Sequence, residues 1–339
     1  MNDYGKSVLE QYELEFTNVR RGRGCLILDG AEGQTYRLAE YSGSKAHLEL
    51  EQAILNDLWQ DGNLLVERCI PNRAGCLYSL NREQTGYVLR YFVEGNECST
   101  ASQVDLCNAM KALAQFHLRM RKFRCVQITQ KEGFAGMPLY EEYGRHLREL
   151  HRVSAYLRRK KKKNHLERRM EETIQSVIRQ GKEALEALEG TSYRQIYDQC
   201  VAEGRICHGR YHYHHVRFSE KGTVLTGLEH CCVQVQIVDI YQFLRKAMEK
   251  CGWSVSVGEQ LLEAYETILP LSAEERQILA CMLQFPEKYY KQVNYYYNTR
   301  KTWISAKSLE KLEKAVCQQI QRATFAETIA KPLKNNNVF

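Results

Sequence analysis

Apolar and polar positions alternate with period two through the first part of the chain, and from about residue 92 a 3.6-residue rhythm takes over. Val19 to Leu28 reads as a glycine turn, at Gly22 and Gly24, feeding a strand. A second turn over Gly30 to Gly33 leads into Thr35–Tyr41, which returns as the partner strand of a hairpin. Ser44 caps a helix running to about Trp59, whose Leu48, Ile54, Leu55 and Leu58 recur at helical spacing. Leu64–Cys69, Gly75–Leu80 and Gly86–Phe92 read as further strands.

Helices dominate afterwards. Val104–Met120 carries Leu106, Met110, Leu113, Ala114 and His117 on one side. Phe134–Leu157 begins as a loop and becomes helical, and Leu166–Leu188 reads as one long helix. A strand–turn–strand stretch over Ile206–Leu225 interrupts them. Helices then follow over Ile237–Glu249, over Val257–Phe285 with a break at Pro270 and Ser272, and over Leu309–Ile329. This order predicts an α+β fold of two lobes, kinase-like in arrangement. A strand-rich N-lobe spans residues 1–92, and a helical C-lobe spans 93–339 and carries the loop 206–218.

Composition changes this picture little. At 339 residues, 44% hydrophobic and 26% charged, the chain reads as an ordinary globular protein large enough for two cores. No run nears the ~18 apolar residues of a membrane span, and the first residues lack a secretory pattern. Thirteen scattered cysteines therefore read as reduced thiols, consistent with a cytoplasmic setting. A net charge of +7 permits acidic partners without requiring them.

The candidate chemistry lies in Cys207–Val216. A phosphotransferase catalytic loop reads H-G-D-x-x-x-x-N, with the Asp at the attacking hydroxyl and the Asn on magnesium. Here His208 and Gly209 keep the frame, Arg210 stands at the Asp position and His215 at the Asn position. The strand setting for the ATP-binding lysine is Tyr36-Arg37-Leu38-Ala39, with Ala39 at the lysine position. Arg37 is read as facing away from that site. Lys45 is a weak substitute, and Glu49 or Glu51, without a lysine to pair, reads as a surface residue. The second metal ligand falls at Gly227, unless a two-residue slip brings in Glu229. A guanidinium cannot take a proton, glycine offers no ligand, and imidazole suits magnesium poorly. All four polar anchors of phosphoryl transfer are thus missing, while His208 and Asp239 read as structural supports of the loop.

Several stretches together resemble the spore-coat CotS-type family, relatives of the aminoglycoside and choline phosphotransferases. These are Gly22-Arg23-Gly24, Glu94–Cys98, His146–Leu150 with the basic run after it, His208-Gly209, Asp239–Lys246, Phe285–Tyr290 and Tyr295–Asn298. The resemblance covers roughly residues 16–325. It implies a kinase-like fold, a spore-forming host and a spore-associated role. With the anchors missing, the expectation is a degenerate, catalytically inactive member that serves as a binding or assembly module. It needs no cofactor and no metal, its partners are spore coat or other proteins, and it resides in the mother-cell cytoplasm or the spore coat. The alternatives are an active phosphotransferase on a small hydroxylated or amino substrate, using ATP and magnesium with a displaced Glu229 or a different metal, or a non-catalytic nucleotide or anion sensor. Gly22, Gly24, Arg210 and Glu229 are the weak candidates for such a ligand.

Three other features read blandly. Cys207, His208, His212, His214, His215, His230, Cys231 and Cys232 fit no zinc spacing. The run Arg158–Arg169, eight basic residues against one acid, reads as a solvated helix face without stacking aromatics, which argues against nucleic acid. Tyr289, Tyr290 and Tyr295 to Tyr297, with Phe285 and Trp303, read as packing or a contact surface.

Overall fold

The computed structural model describes residues 5–125, 133–298 and 306–331. Met1 to Tyr4 and Trp303 lie outside the described residues. In chain order, the strands of the first part are β1 (Phe16–Gly22), β2 (Cys25–Gly30), β3 (Thr35–Glu40), β4 (Leu65–Val66), β5 (Arg68–Cys69), β6 (Ser79–Leu80), β7 (Gly86–Tyr91) and β8 (Asn96–Glu97). Helix α1 (Lys45–Asp61) sits between β3 and β4, and α2 (Gln103–Lys122) follows β8. Next come α3 (Leu139–Arg159), α4 (His165–Glu189), α5 (Tyr193–Glu203), β9 (Ile206–Cys207), β10 (Val216–Ser219), β11 (Gly222–Leu225) and β12 (Cys232–Val233). The remainder is α6 (Ile237–Met248), α7 (Val255–Glu266), α8 (Ala273–Gln284), α9 (Glu287–Asn298), α10 (Ala306–Cys317) and α11 (Gln319–Ile329).

The chain packs into two compact units: residues 1–134 with 208–232, and residues 135–207 with 233–339. This division follows packing rather than the change of secondary structure near residue 92. The catalytic-loop segment joins the first unit because its side chains are anchored there. The Tyr211 hydroxyl donates to the Ala109 carbonyl of α2 at 2.6 Å, and His208 meets Phe116 edge-on.

The first unit is built on an antiparallel sheet of order β1-β2-β3-β7-β5, with β6 also on β7. Alternation sorts its two faces. Leu26, Leu28, Tyr36, Leu38, Tyr87 and Leu89 form one apolar cluster with Val8 and Tyr12. Cys25, Ile27 and Ala39 pack on the other face with Phe92. Ser44 caps α1 by accepting from the His47 amide, and Gly62, at φ 73°, ends it. Arg119 of α2 clamps Asp57 of α1 at 2.6 and 2.7 Å and reaches Asp61 at 3.1 Å. A second small sheet, β4-β11-β10-β8, carries the hairpin that follows the catalytic loop.

The second unit is helical. Leu150 and Leu157 of α3, Met170 and Ile174 of α4, Tyr289, Tyr290 and Val293 of α9, and Leu312 of α10 share one core. Tyr296 and Tyr297 pack against it, so these tyrosines are packing residues, whereas Tyr295 is exposed. The basic run is not one helix face. Arg158 and Arg159 end α3, residues 160–164 turn, and α4 starts at His165. Asn164 and Glu167 make a reciprocal capping box, and the buried Glu167 carboxylate also receives Lys160 at 2.5 Å. The helical tail likewise divides in two, at Gln318.

Candidate functional site

The loop frame is held by buried hydrogen bonds. His208 is fully buried, and its Nε2 lies 2.9 Å from the Thr226 carbonyl while its Nδ1 accepts from the Arg210 amide at 3.4 Å. That pair of partners assigns the neutral tautomer with the proton on Nε2. Gly209 sits at φ 76°, and a Cβ there would run into the His230 carbonyl oxygen, so glycine is required by both conformation and space. Asp239 is fully buried in the first turn of α6, within the second unit.

Arg210 is exposed, and its guanidinium contacts His230 Nε2 at 3.1 Å, which makes that nitrogen the acceptor. His215 lies among His212, His208 and His230, at ring separations of 4.2, 5.7 and 6.3 Å. Burial, reinforced by those imidazoles and by Arg210, pushes its pKa far below the usual histidine value, so the ring is neutral. Burial also lowers His230.

His215 and Gly227 interlock. Gly227 sits at φ 82°, and a Cβ built on it would lie 2.6 Å from His215 Cε1 and 2.9 Å from Cγ. The imidazole therefore lies against the bare Cα of residue 227. An aspartate at 227 and a histidine at 215 exclude each other sterically, so the two positions read as lost metal ligands are one packed contact.

The wall next to this contact is an ion-pair network. Arg90 of β7 donates to Glu51 of α1 at 3.0 and 2.7 Å, with both side chains almost fully buried. Arg37 of β3 grips Glu67 through Nε and a terminal nitrogen, at distances from 2.5 to 3.1 Å. Glu51 outweighs burial at Arg90 and holds that guanidinium protonated. Glu229 lies beside them. Burial, which would raise its pKa, is outweighed by Arg90 and Arg37, so it is held below the usual carboxylate range. Its Oε2 is buried without a hydrogen-bond partner among the described residues. Glu51, Glu67, Arg90, Gly227 and Glu229 line a pocket of ≈ 170 Å³, open mouth included.

Two sequence expectations are corrected here. Arg37 does not face away from Ala39. Two residues apart on one strand, they share a face, opposite Ile27 and Cys25 in register. Glu51 is not a surface residue, because its partner is Arg90 rather than a β3 lysine. Glu49 and Lys45 are exposed. Gly22 and Gly24 flank the β1–β2 turn: Gly22 faces Cys25 in the ladder, and Gly24 takes φ 68° with open space around it. The Arg90–Glu51 pair and the His215–Gly227 contact went unforeseen.

Residues 5–329 match the family described as "Spore coat putative kinase YutH". The chain belongs to that family. It is also 21% identical, over 92% of its length and 85% of the relative's, to "Spore coat protein S" of Bacillus subtilis (strain 168). Among solved structures, an aminoglycoside phosphotransferase from Alicyclobacillus acidocaldarius superposes with a TM-score of 0.81 at 17% identity, covering 96% of this chain and 94% of that one. A spectinomycin phosphotransferase bound to ADP and spectinomycin gives 0.61 at 12% identity, covering 94% and 96%. A microcompartment-associated aminopropanol kinase gives 0.61 at 10%, covering 96% and 97%. The kinase-like α+β fold expected from the sequence is thus the fold of this spore coat family member. No helix among its described residues is long and apolar enough to cross a membrane.

Proposed function

We propose that this chain is a catalytically inactive, kinase-like spore coat protein that works as a binding or assembly module during sporulation. The observation that carries this reading is the His215–Gly227 interlock. The place where a phosphotransferase gathers its two magnesium ligands is filled here by a neutral imidazole packed on a glycine. Arg210 at the base position and Ala39 at the lysine position support the same reading, because neither can supply its group's chemistry. The proposal keeps the lobes at 1–92 and 93–339. It places the protein in the spore coat or the mother-cell cytoplasm, with coat proteins as partners.

A second reading rests on Arg210, an exposed guanidinium beside neutral imidazoles. It makes the loop a magnesium-independent binder of nucleotide or other anions. Thermal unfolding with ATP, with and without magnesium, and a phosphate-transfer assay separate the possibilities. No shift and no transfer is the expected result. A magnesium-independent shift lost in Arg210→Ala selects the anion binder. A magnesium-dependent shift with turnover overturns the inactive assignment and brings in Glu229 as a displaced ligand.

A further inference from the structure

Two stretches of the second unit, His146–Leu150 on α3 and Phe285–Tyr290 at the start of α9, have no role in the loop chemistry, yet the fold brings them together. Tyr143 stacks on Phe285 with centroids 3.8 Å apart, and Tyr290 stacks on His146 at 3.6 Å. Between these stacks, Glu142, His146 and Glu287 each present a ligand atom, and the three atoms lie within 4.8 Å of one another. Glu142 and His146 are four residues apart on α3, so they share a face.

His146 and Glu287 are 3 and 6% exposed. His146 Nδ1 and Glu287 Oε2 face each other as a buried ion pair at 3.3 Å, and neither atom meets hydrogen-bond geometry. Buried polar atoms are normally hydrogen-bonded, and two that only face each other leave a place for a third group to bridge them. Tetrahedral coordination with bonds of ~2.0–2.1 Å sets neighbouring ligand atoms about 3.3 Å apart, which is the separation found. Lys291 holds the other Glu287 oxygen at 2.8 Å, orienting the carboxylate as an outer partner orients a ligand. Glu142 lies nearest the other ring nitrogen, Nε2, at 3.9 Å, so it is the outlying member of the three and would have to turn toward the Nδ1 side to complete the site. Its side chain is 34% exposed.

We infer that Glu142, His146 and Glu287 form a binding site for a divalent transition metal, zinc first, tying α3 to α9. One imidazole and two carboxylates suit zinc or manganese better than a soft thiolate-seeking ion. This site is separate from the loop chemistry and stands whether or not the inactive reading holds.

The test uses the full chain, stripped with chelator, titrated with zinc and desalted. We expect one zinc per chain and a rise of about 4 °C in the unfolding midpoint at ~100-fold excess over Kd. Glu142→Gln and His146→Gln should both lose the ion and the rise. Should His146→Gln fail to fold, the partly exposed Glu142→Gln decides alone. With cobalt in place of zinc, visible bands of a nitrogen–oxygen site without a thiolate charge-transfer band support the assignment. Absence of stoichiometric zinc in the wild type, its retention in the Glu142→Gln chain, or a thiolate band that points to the Cys207–Cys232 region would each overturn it.

Discussion

Gly227→Asp restores the residue type that a magnesium site needs, and the structure says it will not be tolerated while His215 is present. Two costs add. The backbone at φ 82° is left-handed, which costs an L-residue about 1–2 kcal/mol, aspartate lying near the lower end. The new Cβ lies 2.6 and 2.9 Å from ring carbons of His215. That ring is wedged among three other imidazoles, so overpacking of this kind costs about 1–3 kcal/mol. Gly227→Asp alone should therefore destabilise by about 2–4 kcal/mol, and by only about 1 kcal/mol once His215→Asn has removed the ring. The coupling between the two sites is then about 1–3 kcal/mol, readable as a double-mutant cycle of four thermal or denaturant unfolding curves. Chelator in every sample keeps metal binding out of the comparison. If Gly227→Asp costs the same in both backgrounds within about 0.5 kcal/mol, the two sites are independent and the interlock reasoning fails.

Two further outcomes follow from the same unit. Glu51→Ala leaves the buried Arg90 guanidinium without its hydrogen-bonded carboxylate, and should destabilise by at most about 3–5 kcal/mol in denaturant unfolding, less as far as Glu229 takes over the pairing; a loss under 1 kcal/mol would show the pair to be solvent-relaxed. Acid should weaken the fold from about pH 6.5 downward, because His215 and His230 are held neutral in the folded state and take up protons on unfolding. Their folded pKa values lie below the unfolded value, so their contribution is intact above that pH and lost below it, at up to about 1.4 kcal/mol per pH unit for each. Unfolding midpoints of wild type and His215→Asn from pH 7.5 to 5 check this: the variant's curve should be flatter, and parallel curves would refute it.

Much of the architecture was legible because local rules and tertiary packing agree. The β2–β3 hairpin and the Ser44-capped helix α1 follow from turn glycines, alternation and helical spacing. The site was less legible. Glu51 was taken for a surface residue by virtue of its charge, although it falls in the same stripe as Leu48, Leu55 and Leu58, and that stripe is buried. Strand parity already put Arg37 beside Ala39. The Asn164-x-x-Glu167 pattern announced a helix start inside the basic run, and its charges obscured that start. The His215–Gly227 contact lay within reach of hairpin reasoning, since β10 and β11 pair Val216 with Leu225 just beyond it. Glu142 and His146 form a readable pair at helical spacing, but nothing local announces Glu287, which a different helix supplies 141 residues after His146.

Arg37 and Arg90 are register partners on neighbouring strands β3 and β7, so the ladder sets two guanidiniums side by side. Like charges placed opposite each other weaken a strand pair. Their counterions come from elsewhere: Glu51 from α1, and Glu67 from the link between β4 and β5. The middle of the sheet is therefore self-repelling until the helix and the link have docked. Strand pairing and helix docking are coupled through these charges, and amide hydrogen exchange should show β3, β7 and α1 protected together. A helix bound in this way serves the sheet as a counter-charge as much as a packing layer.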